Sequence, residues 1–281
     1  IKGISRVSAY ITSNNFIKKI IKKEKIDVIF MYSIATNAQA VVKVCKELKI
    51  PIIHRTFDII HDLVREEYLR KKILKIEKEV YPLFDKVIAN TPHMERWSKE
   101  MGSKNTIVIP QGVDSNLMKP LLPKQDLLEQ LEISSNDKVV MYLGSIESFS
   151  GLDILLEQVP EIIKKIPEFK LLIVGGGSHL ESIKNKTKQM SLENKIMFTG
   201  YVPYLDVPKY ASLAKLCINT FVVNSMTDKL SPVKIFDLLS CGKTIMATPL
   251  SGLLFDFPQK EDILIYSELV DFGENIISAL N

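Results

Sequence analysis

Short apolar runs alternate with longer amphipathic stretches along most of this 281-residue chain. The runs have the continuous apolar character of strands buried on both faces, whereas the stretches have the spacing of helices with one buried face. Strands and helices that alternate in this way form parallel sheets covered by helices, so the sequence predicts an α/β fold. The predicted strands cover residues 28–31, 51–53, 86–89, 106–109, 139–143, 171–174, 196–198, 216–219 and 244–247, and the helices of the first half cover 37–48, 59–80 and 92–101.

The segment 110–123 separates these elements into two sets, because Pro110, Pro120 and Pro123 interrupt the pattern there. Each set has the alternation of a doubly wound, Rossmann-like domain. We predict domains at 1–118 and 119–281. In such sheets, ligands bind past the carboxyl ends of the strands, which directs attention to the residues that follow each run.

Composition excludes several classes of protein. No apolar run reaches the length of about 20 residues that a transmembrane helix requires. Residues 1–110 contain 21 basic and 12 acidic residues, a net charge of +9, but no nucleic-acid-binding motif accompanies them, so we expect no nucleic-acid partner. Cys45, Cys217 and Cys241 have no paired spacing, as expected of reduced thiols in a cytoplasmic protein.

Two cationic amphipathic stretches, 16–23 and 70–76, leave two interpretations open. One is peripheral contact with a membrane of anionic lipid. The other is a helix with a buried apolar stripe and a solvated lysine face, and we favour this second interpretation.

Several familiar motifs are missing. The chain has no H-E-x-x-H or G-x-S-x-G motif, and its four histidines lack ligand spacing, so we expect neither a metal nor a bound cofactor. Gly175-Gly176-Gly177 follows a predicted strand, but Leu180 stands where a dinucleotide fingerprint needs another glycine. We interpret these glycines as a strand-to-helix turn with an additional phosphate or sugar contact. Gly242 is interpreted as the residue that ends the preceding helix.

The segment 230–243 is the most informative part of the sequence. Ser231 is predicted to cap a helix whose first residue is Pro232. The amino end of this helix faces the carboxyl edge of the sheet, a favourable position for a phosphate group. Lys234 adds a cation in the first turn, and Asp237 on the same face can accept bonds from sugar hydroxyls. A surface helix with a Lys234–Asp237 ion pair is the alternative, and this motif alone does not decide between the two.

A second predicted helix start follows the first strand of the second domain. Ser150 and Asp153 have the spacing of a capping box, and the loop from Gly144 leads into it. Two helix ends that converge on one sheet edge suit a diphosphate better than a neutral ligand. Ordinary capping of a packed helix is the alternative.

The order of several segments resembles the retaining glycosyltransferases of the two-Rossmann (GT-B) architecture, the large group 1 family. Each motif is loose, but the ordered series is specific and spans roughly residues 27–255. The matching segments are 88–91, 109–114, 142–144, 151–156, 172–177, 195–203 and 231–243.

The resemblance implies a GT-B fold, with two domains facing a cleft, and transfer of a sugar from a UDP- or GDP-linked donor with retention and without metal. It places the base near Tyr201 and Val202, and the phosphates on the loop after Gly144, with Ser145, and on the helix from Ser231. It implies that Asp237 holds the ribose hydroxyls. The donor-binding set is therefore Gly144, Ser145, Gly175, Tyr201, Val202, Ser231, Pro232, Lys234 and Asp237, with a glycan, lipid or small-molecule acceptor on the first domain.

This chain departs from the family's pattern at charged positions. Ser145 and Ser150 stand where the family has Arg and Lys, and Lys229 stands where it has the first glutamate of a pair. Two alternatives follow: a non-catalytic relative that binds nucleotide sugars, or a two-Rossmann sugar-nucleotide epimerase. Because the family's opening glycine-rich unit has no match, the resemblance also implies an incomplete N-terminal domain.

Overall fold

The computed structural model describes residues 4–32, 34, 37–64, 66–259 and 263–281, which form two compact units, Ile1–Pro110 and Gln111–Asn281. The predicted boundary at 118/119 lies eight residues after this division. Residues 111–118 belong with the second unit because Met118 is fully buried in its core. The Ser240 hydroxyl also donates a hydrogen bond to the Met118 carbonyl oxygen.

The first unit is built on a parallel sheet with the strand order β1-β2-β3-β4 in its described part. All four strands coincide with predicted apolar runs, although β2 continues three residues beyond its run. Met31, Ile52, Val87 and Ala89 point into a core that also contains Trp97. The strands are β1 (Ile29–Met31), β2 (Ile52–Thr56), β3 (Lys86–Ala89) and β4 (Thr106–Val108).

Of the three helices predicted from the alternation in the first unit, one differs from its prediction. The stretch 59–80 is a 3₁₀ turn, Ile60–Leu63, followed by a separate helix, because the buried Glu77 carboxylate accepts hydrogen bonds from the Ile60 amide and the His61 imidazole. These bonds fold the turn back onto the helix. The helices are α1 (Ile4–Lys23), α2 (Ala38–Leu48), α3 (Glu67–Val80) and α4 (Pro92–Glu100).

The second unit contains a larger parallel sheet with the order β10-β9-β8-β5-β6-β7 in its described part. Successive residues of β5 point to opposite faces, so that Met141 and Tyr142 belong to two separate cores. Both cores are closed by helices, as an α/β sheet requires. The strands are β5 (Lys138–Leu143), β6 (Phe169–Val174), β7 (Ile196–Gly200), β8 (Leu216–Asn219), β9 (Ile245–Ala247) and β10 (Ile265–Tyr266).

The helices of the second unit follow the strands in the expected alternation. Gly242 ends one of them as predicted: its φ is +71°, its amide donates to Leu239, and the Lys243 amide donates to Leu238, which is a Schellman motif. No helix in the described ranges combines the length and apolar character needed to cross a bilayer. The helices are α5 (Gln125–Gln130), α6 (Leu152–Lys165), α7 (Leu180–Gln189), α8 (Val207–Leu213), α9 (Val233–Ser240), α10 (Ser251–Asp256) and α11 (Phe272–Leu280).

Candidate functional site

The strand order of the second unit has its switch point between β5 and β8. From β5 the chain proceeds through β6 and β7 on one side, and from β8 through β9 and β10 on the other. The loops that follow β5 and β8 therefore leave the sheet at its carboxyl edge beside the switch point, the usual ligand position in such sheets. Most of the predicted donor-binding residues lie on the loops that surround this point.

Glycines let the loops at this edge approach each other backbone to backbone. Gly144 and Gly175 have φ values of +130° and +137°, which disfavour any residue with a side chain. A Cβ on Gly175 would lie 2.0 Å from the Gly144 carbonyl oxygen, and one on Gly177 would lie 2.3 Å from that of Ile146. The Ile146 amide donates to the Gly176 carbonyl oxygen at 3.0 Å. The interpretation of 175–177 as a turn that needs glycine is confirmed.

The loop after β5 is tied to the loop after β8. The Thr220 hydroxyl donates to the Ser150 carbonyl oxygen at 2.6 Å, and the Val222 amide donates to that of Phe149 at 2.9 Å. The predicted capping box at Ser150 is wrong. α6 is preceded by Gly151 with φ +70°, where a Cβ would lie 1.9 Å from the Thr220 carbonyl oxygen. The close approach of the two loops thus decides where the helix begins.

Lys234 occupies the centre of this arrangement. Its Nζ lies 4.3 Å from the ring centroid of Tyr142, on β5, and 4.4 Å from that of Phe221, after β8. Its side chain also reaches Gly144, where an added Cβ would lie 3.3 Å from Nζ. Nζ is buried and, among the described residues, forms no hydrogen bond. Burial lowers the pKa of this ammonium group to about 7, since only the two aromatic faces compensate its charge.

Further polar groups at this edge lack partners. Within the described residues, the Ser150 hydroxyl and both polar atoms of the Asn219 side chain are buried without a hydrogen bond. Asn219 ends β8 and Ser150 lies in the loop after β5, so both are next to the switch point. Buried polar groups without partners carry a cost of about 1–3 kcal/mol each, and a polar ligand removes such a cost.

The amino end of α9 differs from the predicted cap. α9 begins at Val233, with Pro232 in extended conformation before it and no side-chain cap. The Ser231 hydroxyl instead donates to the Asp256 carboxylate. The prediction that Ser231 caps α9 is wrong. Its hydroxyl binds the Asp256 carboxylate instead, because a hydrogen bond to a charged acceptor is stronger than one between neutral groups. Within the described residues, Nζ of Lys234 has no partner and so forms no ion pair with Asp237, which removes the alternative interpretation of the segment.

Asp237 is buried and accepts a hydrogen bond from the Tyr204 hydroxyl at 2.8 Å. Burial raises the pKa of the Asp237 carboxyl group, and the bond from Tyr204 opposes that shift. Burial and the neighbouring Asp237 carboxylate raise the pKa of Tyr204 to about 12, so the hydroxyl remains a donor at neutral pH. One oxygen of Asp237 is thus occupied from within the protein.

The remaining predicted residues lie on the same edge. The exposed ring of Tyr201 follows β7 and would lie 2.7 Å from a Cβ on Gly176. Val202 is half-buried against the core, and Ser145 is exposed, with its carbonyl oxygen accepting from the Tyr142 hydroxyl at 2.7 Å. The structure brings together Lys234, Gly144, Gly175 and Tyr201, whereas the described bonds of Ser231 and Asp237 lead to other partners.

Sequence reasoning missed Tyr142, Phe221 and Asn219. Asn219 carries a signal in the sequence, because it is a polar residue at the carboxyl end of an apolar run. The two aromatic rings carry none, since Phe and Tyr are ordinary core residues. Within the residues that the structure describes, no three His, Cys, Asp or Glu side chains converge on a metal position. The geometry offers a desolvated cation for an anionic ligand.

Two protein-family models match this chain. The model for "Glycosyl transferases group 1" matches residues 137–281, and the model for "Glycosyltransferase Family 4" matches residues 3–117. The first match covers more than half of the chain and contains every predicted donor-binding residue.

Relatives and solved structures of the same kind are found. The chain is 26% identical over 203 residues to mannosylfructose-phosphate synthase of Agrobacterium fabrum, covering 68% of this chain and 44% of that protein. It is 20% identical over 239 residues to alpha-monoglucosyldiacylglycerol synthase of Streptococcus pneumoniae, covering 82% and 53%. The chain thus spans about half the length of these relatives.

The fold is that of a GT-B glycosyltransferase. The structure of Anabaena Alr3699/HepE in complex with UDP-glucose matches 95% of this chain and 72% of its own, with a TM-score of 0.76 and 17% identity. Sucrose-phosphate synthase from Thermosynechococcus elongatus matches 97% and 74%, with a TM-score of 0.74 and 18% identity. The predicted fold class is confirmed.

Proposed function

Because the chain belongs to the group 1 glycosyl transferases, we propose that it moves a sugar from a nucleotide-diphosphate donor to an acceptor, with retention and without a metal ion. The UDP-glucose complex of the HepE structure makes UDP-linked sugars the first donors to test, with GDP-linked sugars second.

The observation that carries the proposal is the buried Nζ of Lys234, which has no hydrogen-bond partner among the described residues. Burying an unpaired charge costs several kcal/mol, so a protein retains such a group where a ligand of opposite charge compensates it. Lys234 lies beside the Gly144 loop at the switch point of the sheet. A diphosphate bound there contacts the ammonium group of Lys234 on one side and the backbone of the Gly144 loop on the other.

The charge at Lys234 also compensates for the family cations that this sequence lacks. Ser145 and Ser150 replace the usual Arg and Lys, and both positions belong to the loop after β5. Lys234 reaches the same loop from α9. We infer that Lys234 supplies, from the α9 side of the phosphate position, the positive charge that the family places on the loop after β5. Negative charge on the leaving diphosphate grows as the glycosidic bond breaks, and Lys234 stabilises it in a setting that excludes water.

The rest of the donor is assigned to residues on the same edge. The base lies by Tyr201 and Val202, and the phosphates lie by Gly144, Ser145 and Gly175 and at the start of α9 near Pro232. The free oxygen of Asp237 accepts from the ribose hydroxyls, while Tyr204 holds the other oxygen. Ser231 takes no direct part, because its hydroxyl binds Asp256.

The test is a thermal-shift and calorimetry series with UDP-, GDP- and ADP-sugars on the wild-type chain, Lys234→Met and the control Lys215→Met. Lys215 is an exposed lysine before β8, at the opposite edge of the sheet. We expect one class of nucleotide sugar to stabilise the wild type and the control, with at least about tenfold weaker binding to Lys234→Met.

Product analysis in the presence of EDTA decides between the candidate functions. Transfer or slow donor hydrolysis with retained anomeric configuration supports the proposal. Binding without turnover indicates a non-catalytic relative, and interconversion of free sugar nucleotides indicates an epimerase. Equal binding of donor by the wild type and Lys234→Met contradicts the role of this lysine.

A further inference from the structure

The first unit carries a row of stacked rings at the carboxyl edge of its sheet. The ring of Tyr32, which follows β1, stacks on that of Phe57, which follows β2, with centroids 5.9 Å apart and planes 9° from parallel. The Arg55 guanidinium lies 5.0 Å from the centroid of Phe57. Tyr32 is 61% exposed although its ring is ordered against two others, Phe57 and Phe30.

This row is held in place by the sheet. Arg55 donates hydrogen bonds from one guanidinium nitrogen to the carbonyl oxygens of Ile109 and Pro110, at 3.2 and 3.3 Å, which fixes its position at the end of β4. The guanidinium in turn supports Phe57, and Phe57 supports Tyr32. A ring held in this way loses little conformational entropy when a ligand packs on it, so the platform is preorganised.

Asp58 adds a polar group directly after the platform. It is half-buried and, within the described residues, forms no hydrogen bond or ion pair. Burial raises the pKa of its carboxyl group, so the carboxylate gains stability from any hydroxyl that donates to it. The first unit thus presents an exposed aromatic face and an acceptor without a partner at adjacent positions of one sheet edge.

We propose that Tyr32 and Asp58 bind a pyranose ring of the acceptor, so that the acceptor substrate is a carbohydrate. The C–H groups on one face of a pyranose pack on the negative face of an aromatic ring, while its hydroxyls donate to a carboxylate. Neither a lipid chain nor an ionised phosphate head group uses both features, because neither offers both an apolar ring face and hydroxyl donors. The inference rests on the proposed function, since the bound sugar is its acceptor.

The test uses saturation-transfer NMR on the full chain with a panel of methyl pyranosides: the glucoside, galactoside, mannoside and N-acetylglucosaminide. The variants are Tyr32→Ala and Asp58→Asn, with Tyr68→Ala as the matched control, because Tyr68 is an exposed tyrosine on α3 of the same unit. We expect at least one pyranoside to bind the wild type and the control. Its affinity should fall about tenfold in each of the two site variants.

Donor binding, measured on the same samples, separates this inference from the proposed function. UDP- and GDP-sugar affinities should be equal in all four proteins, because the donor residues belong to the second unit. If pyranosides bind through Tyr32 and Asp58 but no nucleotide sugar binds, the proposed function fails and the sugar site stands. If a nucleotide sugar binds and no pyranoside does, the proposed function stands and the sugar site on the first unit fails.

Three results would overturn the inference. One is pyranoside binding that survives both substitutions. Another is binding of a nucleoside to the wild type that is lost in Tyr32→Ala, which would make the platform a binding site for a base. The third is sedimentation with phosphatidylglycerol vesicles that depends on Tyr32, which would assign the rings to a membrane. Asparagine has nearly the same shape as aspartate, so Asp58→Asn should keep the fold. Its effect on pyranoside binding therefore tests the site even if Tyr32→Ala lowers the unfolding temperature.

Discussion

Raising the pH from 6 to 8 is expected to weaken binding of a nucleotide sugar about tenfold, because Lys234 loses its proton over this range. In the empty site burial lowers the pKa of the ammonium group to about 7. Binding of a diphosphate favours the charged form and raises that pKa again. The affinity is therefore nearly constant below about pH 6 and declines above it until the pKa of the bound state is reached.

The magnitude follows from the charged fraction of Lys234. With a pKa of about 7, about 90% of the empty sites carry the proton at pH 6 and about 10% at pH 8. The apparent affinity is proportional to that fraction, which corresponds to about 1.4 kcal/mol over the interval. At pH 8 the protein should take up about 0.9 proton for each donor bound. Burial raises the pKa of the neighbouring Tyr142 hydroxyl, which therefore does not titrate in this range.

Calorimetry at pH 6, 7 and 8 in PIPES and in imidazole, two buffers of different ionisation enthalpy, measures both the affinity and the proton uptake. The ligand must be a nucleotide sugar, because the terminal phosphate of a free nucleoside diphosphate itself titrates near pH 6. Lys234→Arg is the control, since an arginine stays charged throughout and should make the affinity independent of pH. A flat wild-type profile, or an equal slope in Lys234→Arg, would refute the reasoning.

Three more predictions follow from the fold. Burial lowers the pKa of His54 to about 4, so the folded state favours the neutral imidazole. The contribution of His54 to the free energy of unfolding is therefore complete above about pH 6.5, and that free energy falls by about 2 kcal/mol from pH 7.5 to 5. Urea unfolding should detect this loss in the wild type and not in His54→Gln. Gly175→Ala should destabilise the second unit by about 2 kcal/mol or more, whereas Gly112→Ala, with no atom near its Cβ position, should change the unfolding free energy by less than about 0.5 kcal/mol. Turnover of the donor should persist in EDTA because Lys234 supplies the positive charge; loss on chelation that Mg²⁺ restores would count against this role.

Features that depend on neighbours along the chain were accessible to prediction. Strand β3 and strand β8 coincide with their apolar runs, and Gly242 ends α9 as its sequence position suggests. A buried strand needs only a few consecutive apolar residues, and a helix end needs only a residue that tolerates positive φ. Each of these conditions is local, so the sequence by itself determined two parallel α/β sheets, the glycine turns at their edge and the family.

The positions of hydroxyl and ammonium groups were decided by tertiary structure. Ser231 and Ser150 have the sequence of helix caps, yet Ser231 binds Asp256 and Ser150 lies in a loop held by Thr220. Asp256 and Thr220 belong to segments distant in the sequence, and their contacts decide the conformation around each serine. Likewise, the sequence suggested that Lys234 binds phosphate or pairs with Asp237. Its placement between two rings arises because Tyr142, on β5, and Phe221, after β8, are far apart in the chain but belong to neighbouring strands. Folding alone brings them together, and their removal of water from Nζ sets its pKa.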